Sequence, residues 1–196
     1  MEELQERIRR EGEVLSSSVL KVDRFLNHQI DPLLMKKIGH ELAARFKNKN
    51  ITKVLTIETS GIAPGLMTGL VLNVPVVFAR KQEAITMTDV YRSRIYSFTK
   101  RRTYTISVAK TMLGKEDTVL IIDDFLANGE AIRGLIEIIN KAGATLVGIG
   151  IVIEKSFQPG GKILRSAGYQ VESLVKIASL ENQSIQFLED GVEQKL

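Results

Sequence analysis

The sequence predicts an α/β protein built on an open, doubly wound and mostly parallel sheet. Short apolar runs alternate with segments of helical periodicity, and the runs at Val119–Ile122 and Leu146–Ile153 show no polar alternation. Strands of this kind are buried on both faces, which is typical of parallel sheets covered by helices. Right-handed crossovers between such strands then favour an open sheet.

The first predicted elements follow one another closely. Asp31-Pro32 is a typical helix start, and one face of the helix that follows is apolar. Its apolar positions are Leu34, Ile38, Leu42 and Phe46. A strand at Val54–Ile57 then leads through the loop 58–61 into a helix that ends before Asn73, and Pro75–Ala79 is the next strand.

The second half continues the same alternation. The strand Val119–Ile122 precedes a helix that ends near Gly143 and turns three apolar residues inward. These residues are Leu135, Ile136 and Ile139. Leu146–Ile153 is a further buried strand, and the alternation in Tyr169–Lys176 predicts an edge strand.

A single domain over residues 1–196 is expected, because neither end is long enough to fold alone. We expect a core at about 31–154 and a small hood formed by 1–30 and 155–196 over the carboxyl edge of the sheet, where open α/β sheets bind ligands. The long connection at about 84–107 is predicted to be a lid loop, although a plain surface hairpin is the alternative.

Composition excludes several kinds of protein. The chain has no cysteine and only two histidines, so disulfides, thiolate metal sites and histidine-rich metal centres are excluded and no protein-only metal site is expected. No apolar run approaches the length of a membrane span, and the charged first ten residues lack the apolar core of a signal peptide. We therefore expect a cytoplasmic protein.

The positive charge is local. The net charge is +4, and much of the excess lies between Arg92 and Arg102. Such a balance fits either nucleic acid or a small anionic substrate, so the partner must be inferred from the sites.

The strongest candidate site is the segment Val119–Ala131. A buried strand runs into Asp123 and Asp124, and a loop of small residues then opens a helix. The loop residues are Ala127, Asn128, Gly129, Glu130 and Ala131. Backbone N–H groups at such a junction form an anion site, and paired carboxylates accept hydrogen bonds from sugar hydroxyls. The alternative is a solvated acidic turn at a strand end.

Two further strand ends carry polar residues. Glu58-Thr59-Ser60-Gly61 could cradle a second anion, although Thr59 or Ser60 could equally be an ordinary helix cap. Arg80 and Lys81 leave the next strand at the same edge, where they could complement a pyrophosphate or simply be solvated.

The segment Val119–Ala131 resembles the phosphoribosyl pyrophosphate motif of the type I purine phosphoribosyltransferases. The resemblance implies that Asp123 and Asp124 hold the ribose hydroxyls, that 127–131 binds the 5′-phosphate, and that 58–61 is a pyrophosphate loop with a non-proline cis peptide. Three residues depart from the motif. They are Asn128 for a commoner threonine, Ala131 for a hydroxyl residue, and Glu130, whose charge must point away from a phosphate.

Nearly the whole chain is similar to bacterial members of this family that act on xanthine, most specifically in Leu20–Pro32 and Ile153–Gly160. This likeness implies that Leu20, Asn27 and Lys155 contact the base, that the enzyme is a homodimer, and that a mobile loop covers the site. It implies purine salvage, in which ribose 5-phosphate passes from phosphoribosyl pyrophosphate to xanthine. Mg²⁺ is expected to arrive with the pyrophosphate, because it binds phosphate oxygens and few carboxylates.

Several alternatives stay open. The ammonium of Lys155 only donates, which suits a 6-oxopurine and not the 6-amino group of adenine, but Lys155 could instead pair with Glu154 or with another surface carboxylate. The Asn27 amide could serve guanine as well as xanthine, so a broader guanine and xanthine enzyme, or an adenine enzyme, remains possible. A non-catalytic sensor of phosphoribosyl pyrophosphate is the other class, and nucleic acid binding is unlikely because no recognition helix is evident.

Overall fold

The computed structural model describes residues 1–81, 89–97 and 102–188. The helices are α1 (Glu2–Glu11), a π-helical turn (Asp23–Asn27), α2 (Pro32–Arg45), α3 (Ile62–Leu72), the 3-10 turn Lys110–Met112, α4 (Glu130–Ala142), α5 (Gly160–Ser166) and the 3-10 turn Glu181–Gln183. The strands are β1 (Glu13–Ser16), β2 (Val19–Lys21), β3 (Lys53–Ile57), β4 (Val76–Ala79), β5 (Val90–Ser97), β6 (Arg102–Ala109), β7 (Thr118–Leu126), β8 (Thr145–Lys155), β9 (Val171–Ser179) and β10 (Gln186–Phe187).

A six-stranded sheet forms the centre of the molecule, in the order β10-β9-β8-β7-β3-β4. The strands β4, β3, β7, β8 and β9 are parallel, and β10 is antiparallel to β9. The predicted mostly parallel sheet is therefore confirmed. The strand order reverses between β3 and β7, and the carboxyl ends of strands at such a switch point are where open α/β sheets bind ligands.

Apolar side chains cover both faces of this sheet. On one face, α1 and α2 pack against Val54, Leu120 and Val152. On the other face, α4 and α5 contribute residues to a second cluster around Leu55 and Ile121. Alternate residues of each buried strand thus enter different cores, which explains why the strands carry no polar alternation.

The start of α2 follows the sequence signal. The Asp31 carboxylate accepts hydrogen bonds from the backbone N–H groups of Leu33 and Leu34 at 3.0 and 3.1 Å, and Pro32 occupies the first turn, where no N–H partner is needed. Arg7 of α1 also pairs with Asp31. The amino-terminal helix is thereby held against the start of the core.

Two expectations about the ends of the chain are corrected. The strand predicted at Tyr169–Lys176 is β9, which begins at Val171 and lies inside the sheet, between β8 and the two-residue β10. The parallel sheet therefore extends beyond residue 154. At the other end, α1 packs on a face of the sheet through Leu4 and Ile8, whereas the following β1–β2 hairpin reaches the carboxyl edge, where Ser18 contacts Lys155.

The connection predicted to be a lid is in part an antiparallel hairpin, β5 paired with β6 over its whole length. Ser93 Oγ donates to the Glu137 carboxylate at 2.6 Å, and Ile95 is buried against α4. Backbone hydrogen bonds between Arg80 and Ser107 attach the hairpin to the sheet. Residues 84–88 and 98–101 of the expected lid lie outside the described residues.

Candidate active site

Asp123 is the last residue of the buried stretch of β7, and the half-buried Asp124 follows it. Asp123 is 4% exposed, and its Oδ1 has no hydrogen-bond partner within the part of the chain that the structure describes. Burial, and then the charge of Asp124, raise the pKa of Asp123 well above its ordinary value; burial also raises the pKa of Asp124. A ligand that offers hydroxyl donors would satisfy the unpaired oxygen and favour the ionised pair.

The loop after β3 lies directly against this pair. A Cβ added to Gly61 would be 2.2 Å from Thr56 Oγ1 and 2.8 Å from Asp123 Oδ1, so a larger residue would collide with both. The Thr56 hydroxyl is buried and also has no partner among the described residues. The two neighbouring strand ends at the switch point thus bring their polar groups together, as the sequence predicted.

The peptide between Glu58 and Thr59 is cis, as the family resemblance implied. Thr59 is exposed and Ser60 is half-buried. The following helix, α3, begins after Gly61 without any side-chain cap. The helix-cap interpretation of Thr59 and Ser60 is therefore wrong.

The side chains of Arg80 and Lys81 lie against different aromatic rings at the end of β4. The Arg80 guanidinium lies 5.2 Å from the centroid of the Phe78 ring, whereas the Lys81 ammonium lies 5.7 Å from the centroid of Tyr104. The charge of Lys81 lowers the pKa of Asp123 and Asp124, partly opposing their burial. The backbone N–H of Lys81 donates to the Glu58 carboxylate, which ties it to the loop 58–61. Only Lys81 of the pair faces the acidic residues.

The segment 127–131 forms the predicted turn between β7 and α4. Gly129 has φ of 81°, a left-handed conformation that favours glycine, and α4 starts at the next residue. The turn lines a cavity of about 140 Å³ together with Phe125, Tyr96 and Tyr104. Glu130 forms an ion pair with Arg133, which offsets the negative charge beside the turn.

The Lys155 side chain ends at the same edge of the sheet. Its ammonium donates to the carbonyl of Ser18 at 2.7 Å and lies 5.2 Å from the centroid of the Phe125 ring. Glu154 does not pair with it, because the Glu154 carboxylate accepts two hydrogen bonds from Arg165, at 2.8 and 2.6 Å. The alternative of a structural Lys155–Glu154 pair is therefore wrong.

The other two residues expected to contact the base differ from each other. Asn27 is half-buried, and its Oδ1 is a buried acceptor with no partner among the described residues, as a ligand-binding amide would be. The Leu20 side chain is 6% exposed and belongs to the core on the face of α1 and α2. A contact from Leu20 to a ligand would therefore come chiefly from its main chain.

Two aromatic residues of the site were not identified from the sequence. Tyr104 lines the cavity beside 127–131, and burial and the charge of Asp123 raise its pKa. Phe125 lies under the Lys155 ammonium and lines the same cavity. Its position directly after Asp124 was an available signal, whereas the role of Tyr104 depends on how the hairpin folds back onto the sheet.

An acidic pair and two glycine-containing turns meet at the switch point of the parallel sheet, which defines an α/β protein with its ligand site at the carboxyl ends of the strands. The family model for the phosphoribosyl transferase domain matches residues 27–173. The chain belongs to the phosphoribosyltransferase family.

Curated relatives are similar over nearly the full length. The chain is 58% identical over 186 residues to the xanthine phosphoribosyltransferase of Acinetobacter baylyi, covering 94% of this chain and 97% of that protein. It is 57% identical over 190 residues to the xanthine phosphoribosyltransferase of Bacillus cereus strain AH187, covering 96% of each.

Solved structures confirm the fold. Adenine phosphoribosyltransferase from Rhodothermus marinus has a TM-score of 0.74 at 23% identity, over 90% of this chain and all 100% of that one. The enzyme from Trypanosoma brucei, solved with AMP, pyrophosphate and ribose 5-phosphate, has a TM-score of 0.73 at 23% identity, over 88% of this chain and 79% of that one.

Neither a metal-binding cluster nor a membrane-spanning helix is present among the described residues. Residues 1–81, 89–97 and 102–188 contain no group of three or more acidic or histidine side chains placed to hold a metal ion. Within the same ranges, no helix combines the length and apolarity that a membrane crossing requires.

Proposed function

We propose that this chain is a purine-salvage enzyme that transfers ribose 5-phosphate from phosphoribosyl pyrophosphate to xanthine, giving xanthosine 5′-monophosphate and pyrophosphate. The observation that carries the proposal is the pair of the buried Asp123 and the half-buried Asp124, which leads directly into the turn around Gly129. The xanthine phosphoribosyltransferases to which the chain is 57–58% identical support the choice of base.

The donor is held by groups from neighbouring strand ends. Asp123 and Asp124 accept hydrogen bonds from the ribose hydroxyls, and the turn 127–131 binds the 5′-phosphate at the start of α4. Thr59, Ser60 and Lys81 surround the pyrophosphate, and Arg80 reaches it only if its guanidinium leaves the Phe78 ring. The orphan oxygen of Asp123 supports the first of these assignments.

The reaction exchanges one bond at the anomeric carbon for another. A purine ring nitrogen forms the new C–N bond and loses its proton, while the C–O bond breaks and pyrophosphate leaves with the electron pair. Positive charge develops on the ribose as in glycoside chemistry. The two carboxylates stabilise that charge, and the protein otherwise acts by positioning both substrates.

Mg²⁺ fits the site proposed for phosphoribosyl pyrophosphate, because Asp123 and Asp124 supply the hard oxygen atoms that it prefers. The chain would contribute these carboxylates, directly or through water, and the remaining ligands would come from the donor. When bound, the ion would neutralise negative charge on the pyrophosphate.

The base is recognised at the end of β8. The Lys155 ammonium donates to the 6-oxo group and rejects the 6-amino group of adenine, since it has no acceptor. The Asn27 amide faces position 2, and the main chain of Leu20 borders the base. A broader specificity that includes guanine is the second candidate, because the amide of Asn27 can present either its donor or its acceptor.

We also propose that the enzyme is a cytoplasmic homodimer. An exposed apolar patch on α2 and α3 supports association: Leu33, Leu66 and Leu70 are 72%, 56% and 69% exposed. Patches of this kind mark interaction surfaces. Sedimentation of the wild type and of Leu70→Glu tests it, with a dimer expected for the first and a weaker dimer for the second.

The deciding experiment is steady-state turnover with xanthine, guanine, hypoxanthine and adenine, each with phosphoribosyl pyrophosphate and Mg²⁺. We expect the highest specificity constant for xanthine and negligible turnover of adenine. Tight donor binding with no turnover of any base would instead indicate a sensor protein. A preference for adenine would contradict the base assignment alone.

A further inference from the structure

The turn 127–129 rests directly on the backbone of Gly160. A Cβ added to Gly160 would lie 2.3 Å from the Ala127 carbonyl oxygen and 2.6 Å from the Gly129 nitrogen. A Cβ added to Gly129 would in turn lie 3.2 Å from the Gly160 Cα. All of these neighbours are main-chain atoms, so no flexible side chain can move aside to make room.

A hydrogen bond fixes the same contact. The Gly160 N–H donates to the Ala127 carbonyl at 3.0 Å, and Gly160 is buried. The segment after β8 is therefore joined to the segment after β7 by both packing and hydrogen bonding.

The other side of Gly160 is anchored to the sheet. A Cβ on the next residue, Gly161, would lie 2.1 Å from the Glu154 carboxylate and 2.6 Å from the Arg165 guanidinium. Glu154 is 3% exposed and also accepts a hydrogen bond from Ser173 of β9. Gly160 thus lies between an ion pair whose carboxylate is buried, and which cannot shift cheaply, and the turn 127–129.

We propose that Gly160 is a positioning residue for the 5′-phosphate turn, setting the place of residues 127–129 without touching the substrate. This inference rests on the proposed role of that turn. Binding groups must be held within about 0.5 Å of their productive geometry. Any side chain at Gly160 must displace the turn, since the ion-paired side cannot yield.

The test compares Gly160→Ala with Gly114→Ala, whose added Cβ would meet nothing within 4 Å. For Gly160→Ala, we expect the KM for phosphoribosyl pyrophosphate to rise about 10- to 100-fold, while the KM for xanthine at saturating donor stays within about twofold. Ribose 5-phosphate, used as a probe in calorimetry, should bind correspondingly more weakly. Gly114→Ala should match the wild type.

A second measurement uses the wild type and does not depend on the folding of a variant. Ribose 5-phosphate should slow hydrogen exchange of the Gly160 amide, because that amide bonds the turn that receives the phosphate. The Gly168 amide, which bonds the Arg165 carbonyl instead, is the control.

Two outcomes overturn the inference: an unchanged donor KM in Gly160→Ala, or an equal rise for donor and base. An unaffected Gly160 amide would overturn it as well. Absence of turnover in the wild type and in Gly114→Ala would contradict the proposed function instead, so the two failures are distinguishable.

Discussion

The ammonium group of Lys155 donates a hydrogen bond to the Ser18 carbonyl at 2.7 Å, which joins the end of β8 to the turn of the amino-terminal hairpin. An ammonium has three donors, so this bond leaves two for a ligand. The residue proposed to recognise the base is therefore oriented by a segment more than a hundred residues earlier in the chain.

The first prediction concerns Lys155→Met, which keeps an unbranched side chain one atom shorter than that of lysine and removes its charge. Specificity constants for xanthine, guanine and hypoxanthine should all fall about 10- to 100-fold, since a hydrogen bond to a charged group contributes about 1.5–3 kcal/mol. Lys162→Met, at an exposed position of α5, is the control. Unchanged constants in Lys155→Met would place the base pocket elsewhere.

The second prediction concerns pH. Burial lowers the pKa of Lys155 below its ordinary value, although the charge of Asp124 opposes the shift. Lys155 therefore loses its charge as pH rises through this lowered pKa. The value of kcat/KM for a 6-oxopurine should then fall at a lower pH than it would if this lysine were exposed. In Lys155→Met, kcat/KM should not show this decrease at alkaline pH. Any effect from ionisation of the purine base itself should appear in the pH profiles of both the wild type and the variant. Identical profiles would refute the assignment.

The third prediction concerns Asn27, whose buried Oδ1 lacks a partner among the described residues. Asn27→Ala should narrow the preference for xanthine over hypoxanthine, because hypoxanthine carries no substituent at position 2 for the amide to bind. The measurement is the ratio of the two specificity constants. If the ratio is the same in the variant, Asn27 does not face position 2.

The fourth prediction separates activity from stability at Asp123. Asp123→Asn should lower turnover, because it removes about 2–4 kcal/mol of transition-state stabilisation. Burial and the charge of Asp124 raise the pKa of Asp123 in the folded protein. Between the pKa of Asp123 in the unfolded chain and its higher pKa in the folded protein, the folded protein therefore binds more protons. Wild-type stability should therefore fall as pH rises through that window, and the variant should not share this loss.

Melting curves of both proteins from about pH 5 to pH 8 provide the check on Asp123. The melting temperature of Asp123→Asn relative to wild type should increase with pH. A variant that is less stable than the wild type at every pH would mean that the Asp123 carboxylate stabilises the fold.

The fifth prediction concerns Gly129→Val, which should abolish binding of phosphoribosyl pyrophosphate by intruding on the turn 127–131. Gly168→Val is a matched control, because Gly168 has a similar φ of 87° but its Cβ would meet nothing within 4 Å. Both variants should lose stability from the backbone conformation. Calorimetry should show loss of donor binding only in Gly129→Val. Equal binding in both variants would mean that the turn 127–131 does not bind phosphoribosyl pyrophosphate.

The sheet and the acidic pair could be predicted because their signals are local. Apolar runs such as Val119–Ile122 mark strands buried on both faces, and Asp123 follows such a run directly. The hydrogen bond from Lys155 to Ser18 and the contact between Gly129 and Gly160 carry no local signal, since they depend on how distant segments meet. The position of β9 was also missed, because alternation over Tyr169–Lys176 cannot tell an edge strand from a neighbour of one.

Only four residues separate Lys155 from Gly160, and the Gln158 N–H donates back to the Lys155 carbonyl at 2.9 Å, closing the turn between them. One compact turn therefore sets the separation between the group proposed to recognise the base and the backbone proposed to support the phosphate. With these two roles, we expect the enzyme to select its nucleotide by length as well as by its two ends. An analogue with one extra methylene between sugar and phosphate would present a correct base and a correct phosphate at the wrong spacing.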